Sequence, residues 1–299
     1  MASNEIPTEP PSPGGHQQQQ QQQQKSQEEE ENLKAEFEQL LGPAAFHAGW
    51  SSLLSVDPGL FGAGARLAAV PRRRARLGAK AQSLVALAVD SAATHLYAPG
   101  IRAHAGAALA AGASAAEVLE VVALASTLGI HACNVGVPVL VEVLRERKEG
   151  DGEGEEDVTT RPYDERQEAL KQEFARKRGY WHGFWEDFLR LDPEFFEAYL
   201  EFSSLPWTRD ASGKGEGGQG GRGALEPKMK ELVYCAFDAA ATHLYVPGLK
   251  LHMRNALGYG ATPEEILEVL EIATLLSLHT AHVAVPIIEE LLSASSGST

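Results

Sequence analysis

Apolar residues along this chain recur at helical spacing. From Ala115 to Ile130 (AAEVLEVVALASTLGI) and from Pro263 to Leu278 (PEEILEVLEIATLLSL) they fall three and four apart, over lengths too great for strands. No region alternates with period two strongly enough to suggest a sheet, so an all-α fold is expected. The start signals are clean. Ser114 with Glu117 and Thr262 with Glu265 have capping-box spacing, and Pro263 stands at a first helical position. Gly112 and Gly260 stand where the preceding helix must end. At Ala98-Pro99-Gly100 and Val246-Pro247-Gly248 each proline pushes its predecessor out of the α region. One helix therefore stops there and another begins just beyond.

These signals come in pairs because the sequence repeats. DSAATHLYAPGIRAH (Asp90 to His104) returns 148 residues later as DAAATHLYVPGLKLH (Asp238 to His252), and about 30 of the 65 residues from Lys80 to Leu144 are identical at that offset. Eight of the ten histidines form the matched pairs His47/His182, His95/His243, His104/His252 and His131/His279. Upstream, Phe46 to Pro58 matches Trp181 to Pro193 at a shorter offset, and the Gly-rich insertion Asp210 to Arg222 accounts for the difference. The organisation read from this is a disordered Pro/Gln/Glu-rich tail over 1–32, a first copy over 33–147 and an acidic linker over 148–165. A second copy follows over 166–292, and 293–299 is a frayed end. Each copy should hold five or six helices.

With 43% apolar and 22% charged residues the chain reads as globular. A formal charge of −15 argues against a nucleic-acid partner. No stretch approaches 18 uncharged apolar residues, so no membrane span is expected. The N-terminus lacks the cationic and apolar regions of a secretory signal, and two cysteines suit a reducing compartment, so a cytoplasmic location is expected.

The repeated chemistry is His-Leu-Tyr-x-Pro-Gly-x-(Arg/Lys)-x-His. Its histidines, His95 and His104 in the first copy and His243 and His252 in the second, are the catalytic candidates, because imidazoles exchange protons near neutrality. Arg102 and Lys250 are candidates to hold a substrate carboxylate, and Tyr97 and Tyr245 to donate to an enolate-like oxygen. The same side chains also serve structure, by capping carbonyls or bonding backbone at a kink. His131 and His279, flanked by apolar residues, read as buried and hydrogen-bonded, and His47 and His182 as packed among aromatics. Glu120 and Glu268 read as lying on a solvated or partner-facing side. No metal-ligand spacing occurs at the repeated positions, so neither a metal nor a cofactor is expected.

Lys228-x-x-Glu231-Leu232, HLYVPGLKLHMRNALGYGATPEEILEVLEIA and Val285-Pro286 resemble the carboxymuconolactone decarboxylase family, which shares its helical fold with alkylhydroperoxidase D. The resemblance implies two tandem helical bundle domains of that kind, with sites in pockets between helices. It also implies self-association, three two-domain chains standing in for a six-domain ring. Glu231 enters as a substrate-binding candidate on the same ground. The peroxidase branch places that Glu twelve residues before a Cys-x-x-Cys pair, but His243 and Val246 stand there; alignment on His252 puts Tyr245 and Gly248 there instead. The first copy has Ser83 in place of Glu231, and the counterparts of Cys133 and Cys235 are Ala281 and Leu87. The expected function is thus a cofactor-independent lyase or isomerase acting on a small organic acid or lactone by histidine acid–base chemistry. An alkylhydroperoxidase-type oxidoreductase and a non-catalytic oligomeric binding protein are the alternatives.

Overall fold

A computed structural model describes residues 13–151, 160–208 and 223–296, and every regular element among them is helical. In the first copy these are α1 (Pro13–Leu41), α2 (Ala48–Val56), α3 (Pro58–Arg74), α4 (Gly78–Ser91), α5 (Ala98–Ala110), α6 (Ala115–Ala125) and α7 (His131–Asp151). In the second they are α8 (Glu165–Arg178), α9 (Phe184–Leu191), α10 (Pro193–Thr208), α11 (Pro227–Ala239), α12 (Val246–Gly258), α13 (Pro263–Thr274) and α14 (Leu278–Ser296).

Seven helices per copy exceed the expected five or six because Asp-Pro breaks split one segment in each. Asp57 and Asp192 accept the backbone N–H of Leu60 (2.8 Å) and Phe195 (2.9 Å), capping helices that open on Pro58 and Pro193. Both expected capping boxes form, and the capping glutamates also hold Lys80 and Lys228 at 2.8 and 2.9 Å. The expectation of disorder before residue 33 is corrected for 13–32. That segment lies within α1, its glutamines and glutamates being good helix formers. Residues 1–12, residues 152–159 of the acidic linker and the insertion Asp210 to Arg222 lie outside the described residues.

The chain divides into two compact units, 1–73 with 277–299, and 74–276, which cut across the sequence copies. In the first unit Phe37, Trp50, Leu53 and Phe61 form a core onto which α14 packs Leu278, Ala281 and Val285. Gly49 lets the helices close. A Cβ there would lie 2.7 Å from His282 Cβ and 3.0 Å from its Cα. His47 caps α2, its Nδ1 accepting the Gly49 N–H at 3.1 Å.

His282 is buried edge-on to His47 at 4.9 Å, and neither of its ring nitrogens has a hydrogen-bond partner. Burial, then the neighbouring His47, pushes its pKa down to about 4. Such a group binds more protons unfolded than folded, so its share of stability is complete above pH 6.5 and lost as pH falls toward 4. His282→Leu should therefore remove about 2 kcal/mol of the stability lost on acidification from pH 7 to 4. Urea midpoints across that range check this; an unchanged slope contradicts it.

The second unit holds two cores. One joins α4 and α6 to α11 and α13 through Leu84, Val85, Val121, Leu124, Leu232, Val233 and Val269. Across it the copies cap each other. Glu120 on α6 accepts the backbone N–H of Ala224 (2.7 Å) and Leu225 (3.0 Å) before α11, and pairs with Lys230. Glu268 on α13 does the same for Arg76 (2.8 Å) and Leu77 (3.1 Å) before α4, and for Gln82 (2.8 Å). Both glutamates are buried, which corrects their reading as solvated or partner-facing.

The other core packs Ile130, Cys133 and Val137, at and just after the start of α7, against Phe174, Trp185, Phe188 and Phe196 of α8–α10. These are the repeat equivalents of Leu278, Ala281 and Val285, so each copy's last helix packs on the other copy's first three. By length and composition Ala115–Arg147 and Pro263–Ser295 are apolar enough to cross a membrane, contrary to the expectation. Each is two helices joined by a 3-10 turn, and α6 and α13 line the core they share with α4 and α11.

Candidate functional site

The repeated motif folds into a turn that no apolar pattern announces. Leu244 takes a left-handed conformation (φ 52°), as does Leu96 (φ 49°), and this reverses the chain after α11 and α4. The Tyr245 N–H then returns to the Asp238 carbonyl at 2.9 Å, and Tyr97 does the same to Asp90. Asp238, His243 and Tyr245 are thereby drawn together at the start of α12. A glycine is required just beyond, since a Cβ on Gly248 would sit 2.4 Å from Asp238 Oδ2.

In the second copy His252 on α12 donates through Nδ1 to Glu231 Oε2 on α11 at 2.6 Å, and both side chains are buried. Asn255 approaches the other carboxylate oxygen at 3.4 Å. The imidazole stacks on Tyr234 at 4.3 Å. Arg178, ending α8, is held beside it by the Ser203 carbonyl (2.8 Å) and the phenols of Tyr234 (3.2 Å) and Tyr180 (3.3 Å).

His252, Arg178, Tyr245, Asn134 and His131 line one cavity of about 30 Å³, room for one or two waters, walled on another side by Phe184. Three polar atoms of that lining are buried without a hydrogen-bond partner, Arg178 Nε, Trp185 Nε1 and Asn134 Oδ1. They are two donors and an acceptor open to a ligand. Burial raises the Tyr245 pKa despite a hydrogen bond from Asn134, so its phenol keeps its proton.

Beside the cavity, His131 Nδ1 and His243 Nε2 lie 2.6 Å apart. Burial, then His243 and His252, pushes the His131 pKa down to about 3. Burial lowers that of His243 as well, so both imidazoles are neutral at pH 7. Asp238 Oδ1 lies 3.8 and 4.0 Å from those nitrogens, and neither of its oxygens has a hydrogen-bond partner. Burial, then Glu231, pushes Asp238 up to about 8.

The first copy is arranged differently. With Ser83 in place of Glu231, His104 turns its Nδ1 to Asp90 at 2.6 Å, and His95 lies 4.0 Å from the same carboxylate. Tyr97 is buried, its pKa raised by burial and by Asp90.

The structure thus brings His252 and Tyr245 to one cavity, with Glu231 bonded to His252 and His243 beside the cavity. Arg102 and Lys250 are exposed and do not line it. Each stands two residues before its motif histidine, about 200° around the helix, so an inward histidine turns it to solvent. The cation of the cavity is Arg178, which the motif does not contain. Asp238 was legible as the one charge the repeat keeps in an apolar helix end, and it was overlooked. His131 and Asn134 come from the other copy's last helix, which spacing within one copy cannot reveal. Burial raises the pKa of both cysteine thiols, helped by Asp192 at Cys133 and by Glu231 and Asp238 at Cys235, so neither is a ready thiolate.

The model of the carboxymuconolactone decarboxylase family matches residues 206–287. Among solved structures, the chain is similar to a protein provisionally described as a gamma-carboxymuconolactone decarboxylase subunit, from Burkholderia xenovorans LB400. The two share 48% identity with a TM-score of 0.78, over 89% of this chain and 98% of the other. A search of curated proteins finds no match.

Proposed function

The chain belongs to the carboxymuconolactone decarboxylase family, and on that footing we propose a lyase or isomerase acting on a small organic acid or lactone, its acid–base centre being His252 of the second copy. The observation that carries this reading is the buried 2.6 Å contact of His252 Nδ1 with Glu231, beside a cavity holding an unpaired arginine donor. Glu231 fixes the tautomer and steadies the imidazolium, leaving Nε2 to exchange protons.

In a decarboxylation the bond to the leaving carboxylate breaks and its electron pair moves into an enolate. Tyr245 donates a hydrogen bond to the enolate oxygen, and the His252 imidazolium delivers the proton to carbon. Arg178 Nε–H is the donor for a second carboxylate of the substrate. A cavity of about 30 Å³ admits such a substrate only if lining side chains move. Incubation with gamma-carboxymuconolactone and other small carboxylic acids, followed by carbon dioxide release and by NMR for isomerised product, tests the reading. Turnover of at least one is expected. No turnover and no ligand-induced rise in melting temperature across the set would contradict it.

The same family membership supports self-association, which we propose is a trimer. Equivalent apolar stripes are exposed on α7 (Val135, Val139, Val143) and on α14 (Val283, Ile287, Leu291). Light scattering should give about three times the 32.1 kDa chain mass. Val139→Glu combined with Ile287→Glu should reduce it to the single-chain value; a monomeric parent chain sinks this expectation.

A further inference from the structure

We infer that His131, His243 and Asp238 form a binding site for one divalent transition-metal ion, of the zinc, cobalt or iron type. Three donor atoms, one from each residue, lie within 4.8 Å of one another. They come from α7 of one copy and from α11 and its following turn in the other. No sequence motif joins them, which is why ligand spacing gave no sign of the site.

The donor set decides the class of ion. Two imidazole nitrogens and one carboxylate oxygen suit borderline metals, whereas magnesium and calcium prefer oxygen alone. The orphaned carboxylate is the second, independent observation. Asp238 is fully buried with Oδ1 within 4.0 Å of two imidazole nitrogens, yet neither oxygen has a partner, an arrangement that costs free energy until a ligand is supplied.

Comparison of the copies shows how the carboxylate became available. In the first copy the equivalent Asp90 is taken by His104. In the second, Glu231 takes His252 instead and leaves Asp238 free to serve.

The geometry needs only small adjustment. Donors on a tetrahedral ion at zinc-like bond lengths stand roughly 3.3 Å apart. The two imidazoles, now 2.6 Å apart and sharing one proton, separate by about 0.7 Å, and Asp238, at 3.8 and 4.0 Å, closes by about 0.5–0.7 Å. One imidazole changes tautomer so that both lone pairs face the ion. Stacking on Tyr245 at 3.8 Å steadies the His131 ring. Three protein ligands leave one coordination position open.

The inference does not rest on the acid–base reading, because its readout is binding. Tag-free protein, freed of metal with a chelator, is titrated with cobalt(II) and followed by visible absorption, then by competition with zinc(II). One cobalt per chain with intense tetrahedral d–d bands is expected. Affinity should fall at least a hundredfold in His243→Ala and in the nearly isosteric Asp238→Asn, and stay unchanged in Lys250→Ala, whose side chain is exposed. Should His243→Ala fail to fold, Asp238→Asn and His131→Gln carry the comparison, with helicity by circular dichroism as the control. A chain that binds no cobalt, or binds it equally well after these substitutions, overturns the inference.

Discussion

Glu120→Ala is expected to cost about 3–5 kcal/mol of stability, the largest effect of any single substitution in the helical core. Lys230 is fully buried, and among the described residues its ammonium is held by the Glu120 carboxylate and the Pro206 carbonyl and lies over the Trp207 ring at 5.4 Å. Burial already lowers its pKa against the pull of Glu120. Without the carboxylate the ammonium either stays charged and uncompensated or gives up its proton, and both cost free energy. The same substitution also orphans the N–H groups of Ala224 and Leu225.

Glu268→Ala is the internal control. It loses the equivalent backbone bonds, but the side chain in the place of Lys230 is the neutral amide of Gln82, so no charge is stranded. Its cost should be about 1–3 kcal/mol. Urea denaturation of the two variants separates them, and equal midpoints would show that the buried ion pair contributes nothing beyond its hydrogen bonds.

Glu231→Gln is expected to lower kcat about a hundredfold or more while leaving KM nearly unchanged. The amide keeps the shape of the side chain and can still bond the imidazole, but it no longer stabilises the imidazolium or fixes the productive tautomer. A variant with full kcat would make Glu231 a packing residue. No like effect is expected from Ser83, whose hydroxyl donates to the Ala79 carbonyl at 2.9 Å in its own helix.

Much of the fold was written locally. Capping boxes, Pro-Gly stops and the repeat gave the helices and their order, because such signals act within a few residues. Packing partners were not written there. The apolar stripe of Ile130, Cys133 and Val137 says that α7 must bury one face, and it does not say that the face belongs to the other copy's aromatic helices.

Glu120 was readable and misread. It stands in register with Leu124 and Leu128, four and eight residues on, which are both buried, so the same periodicity that gave the helix places the carboxylate inward. At the site, the motif delivered His252, His243 and Tyr245. Arg178 and Tyr180 stand at the end of α8 and just beyond it, where the repeat has no clear counterpart, and their role appears only once the chain is folded.

The central claim is that the two copies have diverged and that the second carries the acid–base centre. Parallel turnover measurements on His252→Ala and His104→Ala, with whichever small acid or lactone the parent chain converts, test it most directly. Loss of activity in His252→Ala, with near-parental activity in His104→Ala and unchanged helicity in both, is the expected result. Equal loss in both variants, or loss in His104→Ala alone, would contradict it.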